Sequence, residues 1–364
     1  MKFIFTSEDF SYNLIKYVRG GLLAKYHTVV RLVETTKPLY RLLPRSMRAR
    51  LPLIAVTDWR ELPLDADAWF YGLSYGKRSR PLDPAHADLL RNYRGALVFY
   101  QNDDGLDFFL HKIPGDLVEK AALFLRNHWP ADGSKIPAVI KDRTGFINPY
   151  LHRLKPEAGE ELRQRPIEIA FYGLNTGGCS GQLYREKAVR LLRSAGGGLT
   201  GGLIQSDEYP APGELCVGRL SPREHLRTIS RSKICLALWG NCPLTFRFFE
   251  GLSRRCLVLA QDLSGLRFAS CGLTPGVHYV PIMSDLSDLI AKTSYYSSHG
   301  KDAQAIADAG FAHFKNYYAF RGVRYPAALF DEITASWKGL LKPVARPSLS
   351  SGILANLLQH INSI

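Results

Sequence analysis

The stretch from Ser230 to Asp262 constrains the fold of this chain more than any other. It holds two short apolar runs, Ile234–Trp239 and Cys256–Ala260, rich in Leu, Val and Cys and flanked by basic or small residues. Apolar runs of this length, without alternation, read as strands buried on both faces of a parallel sheet. Between them, Leu244–Arg254 sets Leu244, Phe248, Phe249 and Leu252 on one side and Arg247, Glu250 and Arg254 on the other. That spacing predicts a short amphipathic helix. The small-residue loop Gly240–Pro243 joins the first run to the helix. Strand, loop, helix and strand make a βαβ unit, and ligands of such units sit beyond the carboxyl ends of the strands, at helix N-termini.

Ser232 and Lys233 precede the first run, Gly240 follows it, Arg247 and Glu250 are three apart on the helix, and Asp262 closes the second run. This pattern resembles the donor-binding half of GT-B glycosyltransferases, nearest to exostosin-like and CgeB-like members, over about residues 165–335. The resemblance implies an α/β chain of two Rossmann-like domains facing a cleft. It also implies a nucleotide-sugar beside Arg247 and Glu250, with no metal and no cofactor needed.

The length of 364 residues suits two ordinary domains. Apolar residues make up 46% and charged residues 22%, as in a soluble globular chain. No run approaches the roughly 18–20 apolar residues that cross a bilayer. The opening MKFIFTSEDF meets acids too soon for a signal peptide, so a cytoplasmic protein is expected. Six cysteines, all from Cys179 onward, form no C-x-x-C pair and have no accompanying histidine cluster, which favours reduced structural thiols over a metal site. The net charge of +14 favours anionic partners. Lys37–Arg50 concentrates five basic residues among Leu39, Tyr40, Leu42, Leu43 and Met47. It reads as a solvated loop with a packed side, as a face for an anionic membrane surface or acceptor, peripheral to the inner leaflet, or as a stretch that binds RNA without specificity.

Strands are expected at Lys2–Phe5, His27–Val33, Leu53–Val56, Ala68–Tyr71 and Ala96–Tyr100, with a helix over Pro114–His128 and another strand at Ile136–Ile140. A helix capped by Ser7 is expected between the first two strands. The polar segment 148–165 reads as a linker, dividing residues 1–150, an acceptor domain, from 151–342, a donor domain, with a tail helix in 343–364. In the second domain a strand at Ile167–Tyr172 leads into the loop GLNTGGCSG and a helix from Gln182 to about Ser194, with Arg185 facing water. The loop lacks the spacing of a dinucleotide fingerprint or a Walker loop, yet its glycines would let backbone N–H groups approach phosphate. Pro222–Arg231 reads as a helix capped by Ser221, Leu263–Ser270 as a short helix, Val277–Pro281 as a strand, and Lys301–Phe320 and Tyr325–Leu341 as long helices.

Glycosyl transfer needs the leaving diphosphate neutralised, the nucleoside gripped and the acceptor hydroxyl deprotonated. Arg247 is the first candidate for the diphosphate, since a guanidinium fork binds phosphate oxygens in two places, and Lys233 is the second. Glu250 would accept from ribose hydroxyls, and Gly173, Asn175 and Gly240 would line the donor. The plainer alternative for Arg247 and Glu250 is a surface ion pair. The base should come from the first domain, among Asp9, Asp58, Asp103, Asp104 and His111, with Asp103 or Asp104 favoured because they follow a strong strand. The same two residues could equally form a turn, with the adjacent Gly105. The leading expectation is a metal-independent glycosyltransferase for a glycan or glycolipid acceptor in cell-surface polysaccharide synthesis. The alternatives are a nucleotide-sugar epimerase or hydrolase on the same frame, and a basic module binding nucleic acid. Against the last, no RNA- or DNA-binding signature is present, so no specific nucleic-acid partner is expected.

Overall fold

The computed structural model describes residues 1–7, 28–32, 53–56, 61–73, 81–101, 110–147, 154–175, 178–207, 209–240, 244–319, 327–337 and 339–340. The first unit carries β1 (Lys2–Ser7), β2 (Thr28–Leu32), β3 (Leu53–Val56), β4 (Ala68–Leu73), α1 (Pro84–Asn92), β5 (Ala96–Gln101), α2 (Gly115–Lys120), β6 (Leu123–Arg126), β7 (His128–Pro130) and β8 (Thr144–Phe146). The second carries β9 (Ile167–Leu174), α3 (Gly178–Ser194), β10 (Leu199–Ile204), β11 (Cys216–Val217), α4 (Pro222–Ser230), β12 (Ser232–Ala237), α5 (Phe246–Ser253), β13 (Leu257–Gln261), β14 (Leu266–Phe268), β15 (Val280–Ile282), α6 (Leu289–Ser298) and α7 (Gly300–His313). A last helix, α8 (Ala327–Ala335), follows.

Two parallel sheets result. The first has seven strands in the order β3-β2-β1-β4-β5-β6-β8, the second six in the order β11-β10-β9-β12-β13-β15. Both orders run outward from the first strand of the unit, then reverse and run outward on its other side. The reversal points, between β1 and β4 and between β9 and β12, are where doubly wound sheets open a crevice. The chain is thus an α/β protein of two Rossmann-like units.

The central strands follow from composition. Ile234, Cys235, Leu236, Ala237, Leu257, Val258, Leu259 and Ala260 are all 0–1% exposed, so both faces of β12 and β13 are covered. Helix α5 and α4 cover one face and α3, α6 and α7 the other, and each face selects alternate residues. Leu257 and Leu259 belong to the α3 side, Val258 and Ala260 to the α5 side.

Three expectations change. Pro114–His128 is not one helix: α2 stops at Lys120 and β6 and β7 follow. Leu123, Phe124 and Leu125 are 0–2% exposed between β5 and β8, and a run apolar on every side suits a central strand as well as a helix. Ile136–Ile140 is not a strand but enters a 3₁₀ segment, Ala138–Arg143, begun by Pro137. Leu263–Ser270 is not helical: β14 lies there and pairs antiparallel with β7, Leu266 opposite Pro130 and Phe268 opposite His128. That pairing joins the two units edge to edge, a partner no local pattern announces. The proposed Ser7-capped helix, Lys37–Arg50 and the tail 343–364 lie outside the described residues.

The units also share one apolar core. Phe3, Phe5 and Phe70 of the first sheet join Phe248, Phe249 and Leu252 of α5 and Phe330, Ile333 and Trp337 at α8. Helix α8 crosses back to the first sheet: Ser336 Oγ accepts from Phe146 N at 2.9 Å, and Trp337 Nε1 donates to Phe146 O at 2.9 Å. The Trp337 ring lies 5.2 Å from that of Phe70. Replacing it, Trp337→Ala, should destabilise the fold by about 3–5 kcal/mol, the cost of a large core truncation, read as a lower urea midpoint. A loss under about 1 kcal/mol would show that α8 is not a structural strap.

Candidate functional site

Strands β9 and β12 pair only as far as Cys235 opposite Ala170. Beyond that point β9 continues with β10 to Leu174 and β12 continues with β13 to Ala237, so the two part at their carboxyl ends. Arg185 of α3 holds the parted ends. It is 3% exposed, its Nε donates to Trp239 O at 2.7 Å, and its Nη1 donates to Leu174 O. The expectation that Arg185 faces water is therefore corrected. Arg185, Val189 and Leu192 share one helix face at i, i+4 and i+7, and the face is buried.

Arg247 stands on the first turn of α5, whose N-terminus opens at the same carboxyl edge because the crossover from β12 to β13 begins there. Its guanidinium lies over the Phe171 ring at 5.2 Å and makes no hydrogen bond among the described residues, with Nε enclosed and unpartnered. Burial lowers its pKa from the ordinary arginine value, opposed by the charges of Glu250 and Cys235. An arginine nonetheless stays protonated in a protein. The helix start has no side-chain cap. Thr245 at the N-cap makes no side-chain cap bond, its Oγ1 is enclosed without a partner among the described residues, and the first turn has no acid. The positive end of the helix dipole and a guanidinium with no hydrogen bond among the described residues meet on this first turn, which is how an anion site is built.

Glu250, one turn on, pairs with His225 of α4, Oε2 to Nε2 at 3.0 Å, with side chains 20% and 18% exposed. Burial works to raise its pKa, but the His225 bond and the charges of His225, Arg247 and Arg254 outweigh it and hold the carboxyl below its usual value. The ion-pair alternative is thus half right: Glu250 is paired, but with His225, a residue the sequence reading did not single out.

Gly173 and Asn175 stand at the carboxyl end of β9. A Cβ on Gly173 would meet Phe171 Cζ at 2.8 Å and displace the ring beneath Arg247. Asn175 is 0% exposed; its Nδ2 donates to Glu186 Oε1 at 2.9 Å and Pro210 O at 2.7 Å, and its Oδ1 has no partner among the described residues. Gly240 is buried just past β12. The helix expected from Gln182 begins at Gly178, so the glycine-rich loop is shorter than read.

Lys233 is not part of this assembly. It lies second in β12, at the amino edge of the sheet, and its Nζ bonds Glu168 Oε2 of β9 at 2.6 Å. Parallel strands carry residues this far apart to opposite ends of the sheet. Asp9, Asp58, Asp103 and Asp104 lie outside the described residues, and His111 is exposed in a 3₁₀ turn after β5. The described cysteines Cys216, Cys235, Cys256 and Cys271 are free. Burial pushes the Cys256 thiol up to about 11 and the Cys235 thiol upward as well, so neither is a nucleophile at neutral pH. No described helix is long and apolar enough to cross a membrane.

The Glu250 environment sets a pH dependence. A carboxyl whose folded pKa is depressed stabilises the fold at pH above its unfolded value, and that contribution is lost as pH falls. The stability of the wild type minus that of Glu250→Gln, from urea titrations, should be present at about pH 5–6 and shrink below about pH 4. A difference that stays flat down to about pH 3 would refute the depressed carboxyl.

Residues 185–323 match the model of a family described as Glycosyl transferase-like. Two viral proteins called uncharacterized are similar over part of the chain. One, from Invertebrate iridescent virus 3, is 30% identical over 112 residues, covering 30% of this chain and 10% of its own. The other, from Frog virus 3, is 32% identical over 99 residues, covering 26% and 10%. The matched segment thus spans about a tenth of these relatives' length. Among solved structures, Anabaena HepE in complex with UDP-glucose is similar with a TM-score of 0.53 at 12% identity, covering 93% of this chain and 99% of that one. A UDP-forming α,α-trehalose-phosphate synthase from Burkholderia xenovorans is similar with a TM-score of 0.51 at 11% identity, covering 93% and 99%. The chain has the fold of these GT-B proteins, two Rossmann-like units along nearly its whole described length, and the segment that matches the family begins at the arginine spanning its second crevice.

Proposed function

We propose that this protein is a glycosyltransferase that takes a nucleotide-sugar at the carboxyl edge of the second sheet. The observation that carries the reading is the start of α5, which has no side-chain cap bond, with the Arg247 guanidinium on its first turn making no hydrogen bond among the described residues. Arg247 and the helix N-terminus receive the diphosphate and stabilise the charge that grows on it as the glycosidic bond breaks. Glu250 accepts from the ribose hydroxyls, and Gly173, Asn175 and Gly240 line the approach. The charge is met by fixed cations and backbone dipoles, so the reaction runs without a metal. The match of residues 185–323 to a glycosyltransferase-like family and the nucleotide ligands of HepE support this reading.

The acceptor is a glycan or glycolipid, and its hydroxyl is deprotonated by Asp103 or Asp104, in the segment after the carboxyl end of β5. The net charge of +14 supports an anionic acceptor or an anionic membrane surface, and with it a role in cell-surface polysaccharide synthesis.

A thermal-shift panel of UDP, GDP, CMP, dTDP and ADP, in the presence of a chelator, tests the donor site. One nucleotide should stabilise the wild type, by about 2.7 kcal/mol at a hundredfold excess over Kd. Arg247→Ala should abolish the shift and, in a donor-turnover assay, lower the rate on the order of 10²–10³. Lys233→Ala should leave the shift intact. No shift with any nucleotide, or an equal shift in Arg247→Ala, would refute the assignment.

A further inference from the structure

Glu250 has two carboxylate oxygens, and the fold uses only one. Oε2 is bonded to His225 Nε2 at 3.0 Å, while Oε1 accepts no hydrogen bond among the described residues. His225 is itself tightly placed. It lies in the first turn of α4, where Pro222 presets the backbone and a reciprocal capping box ties Ser221 to Glu224, Ser221 N to Glu224 Oε2 at 2.9 Å and Glu224 N to Ser221 Oγ at 3.3 Å. The imidazole then stands edge-on to the Tyr172 ring of β9, with centroids 6.2 Å apart and planes at 86°. Strand β9, helix α4 and helix α5 thus all act on one carboxylate. A free glutamate side chain samples many rotamers, and ordering it on ligand binding weakens affinity. Here that ordering is complete before any ligand arrives.

We infer that His225 is a positioning residue for the nucleoside: it locks Glu250 so that Oε1 is left as a preorganised acceptor for a ribose hydroxyl. This rests on the reading of Glu250 given above and deepens it, because it makes the ligand class a ribonucleoside rather than a 2′-deoxyribonucleoside diphosphate. It also places α4 in the donor site.

The test is calorimetric titration of the full chain with UDP and dUDP, and with the ribo and 2′-deoxy forms of any other base that shifts the wild type. The wild type should bind the ribo form about tenfold more tightly, the scale of one hydrogen bond to a charged acceptor. His225→Phe keeps a ring against Tyr172 and removes the donor; it should bind both forms with the affinity of the wild type for the deoxy form. His225→Asn, whose amide stops short of Glu250, should behave alike and serves where the Phe variant folds poorly. His225→Gln, long enough to donate to Oε2, should restore the tenfold preference. Preference retained in both the Phe and Asn variants would overturn the proposal, as would a wild type that binds the deoxy form equally well. A wild type that binds no nucleoside diphosphate at all refutes the donor site itself, and this inference with it.

Discussion

The second crevice depends on one buried cation. Where β9 and β12 stop pairing, their terminal carbonyls lose the sheet partners that satisfy them elsewhere. Arg185 supplies the donors, reaching Leu174 O on one side and Trp239 O on the other. A guanidinium suits this task because its rigid fork serves several acceptors at once and stays charged. The arrangement is stable only as a whole. Removing the arginine would orphan carbonyls at both strand ends, and removing the carbonyls would bury a bare charge. The parted strands leave Phe171 as a floor, and Arg247 rests on that floor.

A second set of buried arginines works at the opposite edge. Arg165 donates to Ser232 O at 2.9 Å and Arg254 O at 3.1 Å, and Arg254 donates to Lys155 O at 2.8 Å. Together they clamp the segment that enters the second unit against the amino ends of its strands. Like Arg185 at the carboxyl edge, both bond main-chain oxygen. At the amino edge the guanidiniums are bonded to main-chain oxygen and the lysine to Glu168. At the carboxyl edge Arg247 Nε is enclosed and has no partner among the described residues. The contrast separates structural cations from one suited to an incoming anion.

The βαβ unit around Ser230–Asp262 was legible because its two strands are buried on both faces and its helix on one. Each condition leaves its own periodicity in the chain, and strands and helix fall within a few residues of the reading. The same reasoning failed at Leu123–Leu125 and Leu263–Ser270. A short run apolar throughout has no period to read, and β14 exists only because β7 of the other unit lies beside it. Arg247, Glu250, Gly173, Asn175 and Gly240 do stand at the carboxyl edge, as the order of strand and helix requires. Lys233 belongs to the family-like pattern by its place before the first strand, yet one strand's length sets it at the edge opposite the loop Gly240–Pro243. Arg185 left a trace that was overlooked, a charged residue on the same helical face as Val189 and Leu192. His225 left none: its partner lies 25 positions away and on another helix.

What the sequence determined by itself is the βαβ core of the second unit and the leading strands of both units, since hydrophobic period, turn residues and caps act over a few neighbours. From their order follow the parallel sheets, the reversal between β9 and β12, and the edge at which a ligand would sit. Only the tertiary structure decided which charges are neutralised and which remain. That depends on distances between residues far apart in the chain, on Arg185 meeting two strand ends and on His225 meeting Glu250. Pairing of this kind is a property of packed helices and sheets, and no local pattern in the chain encodes it.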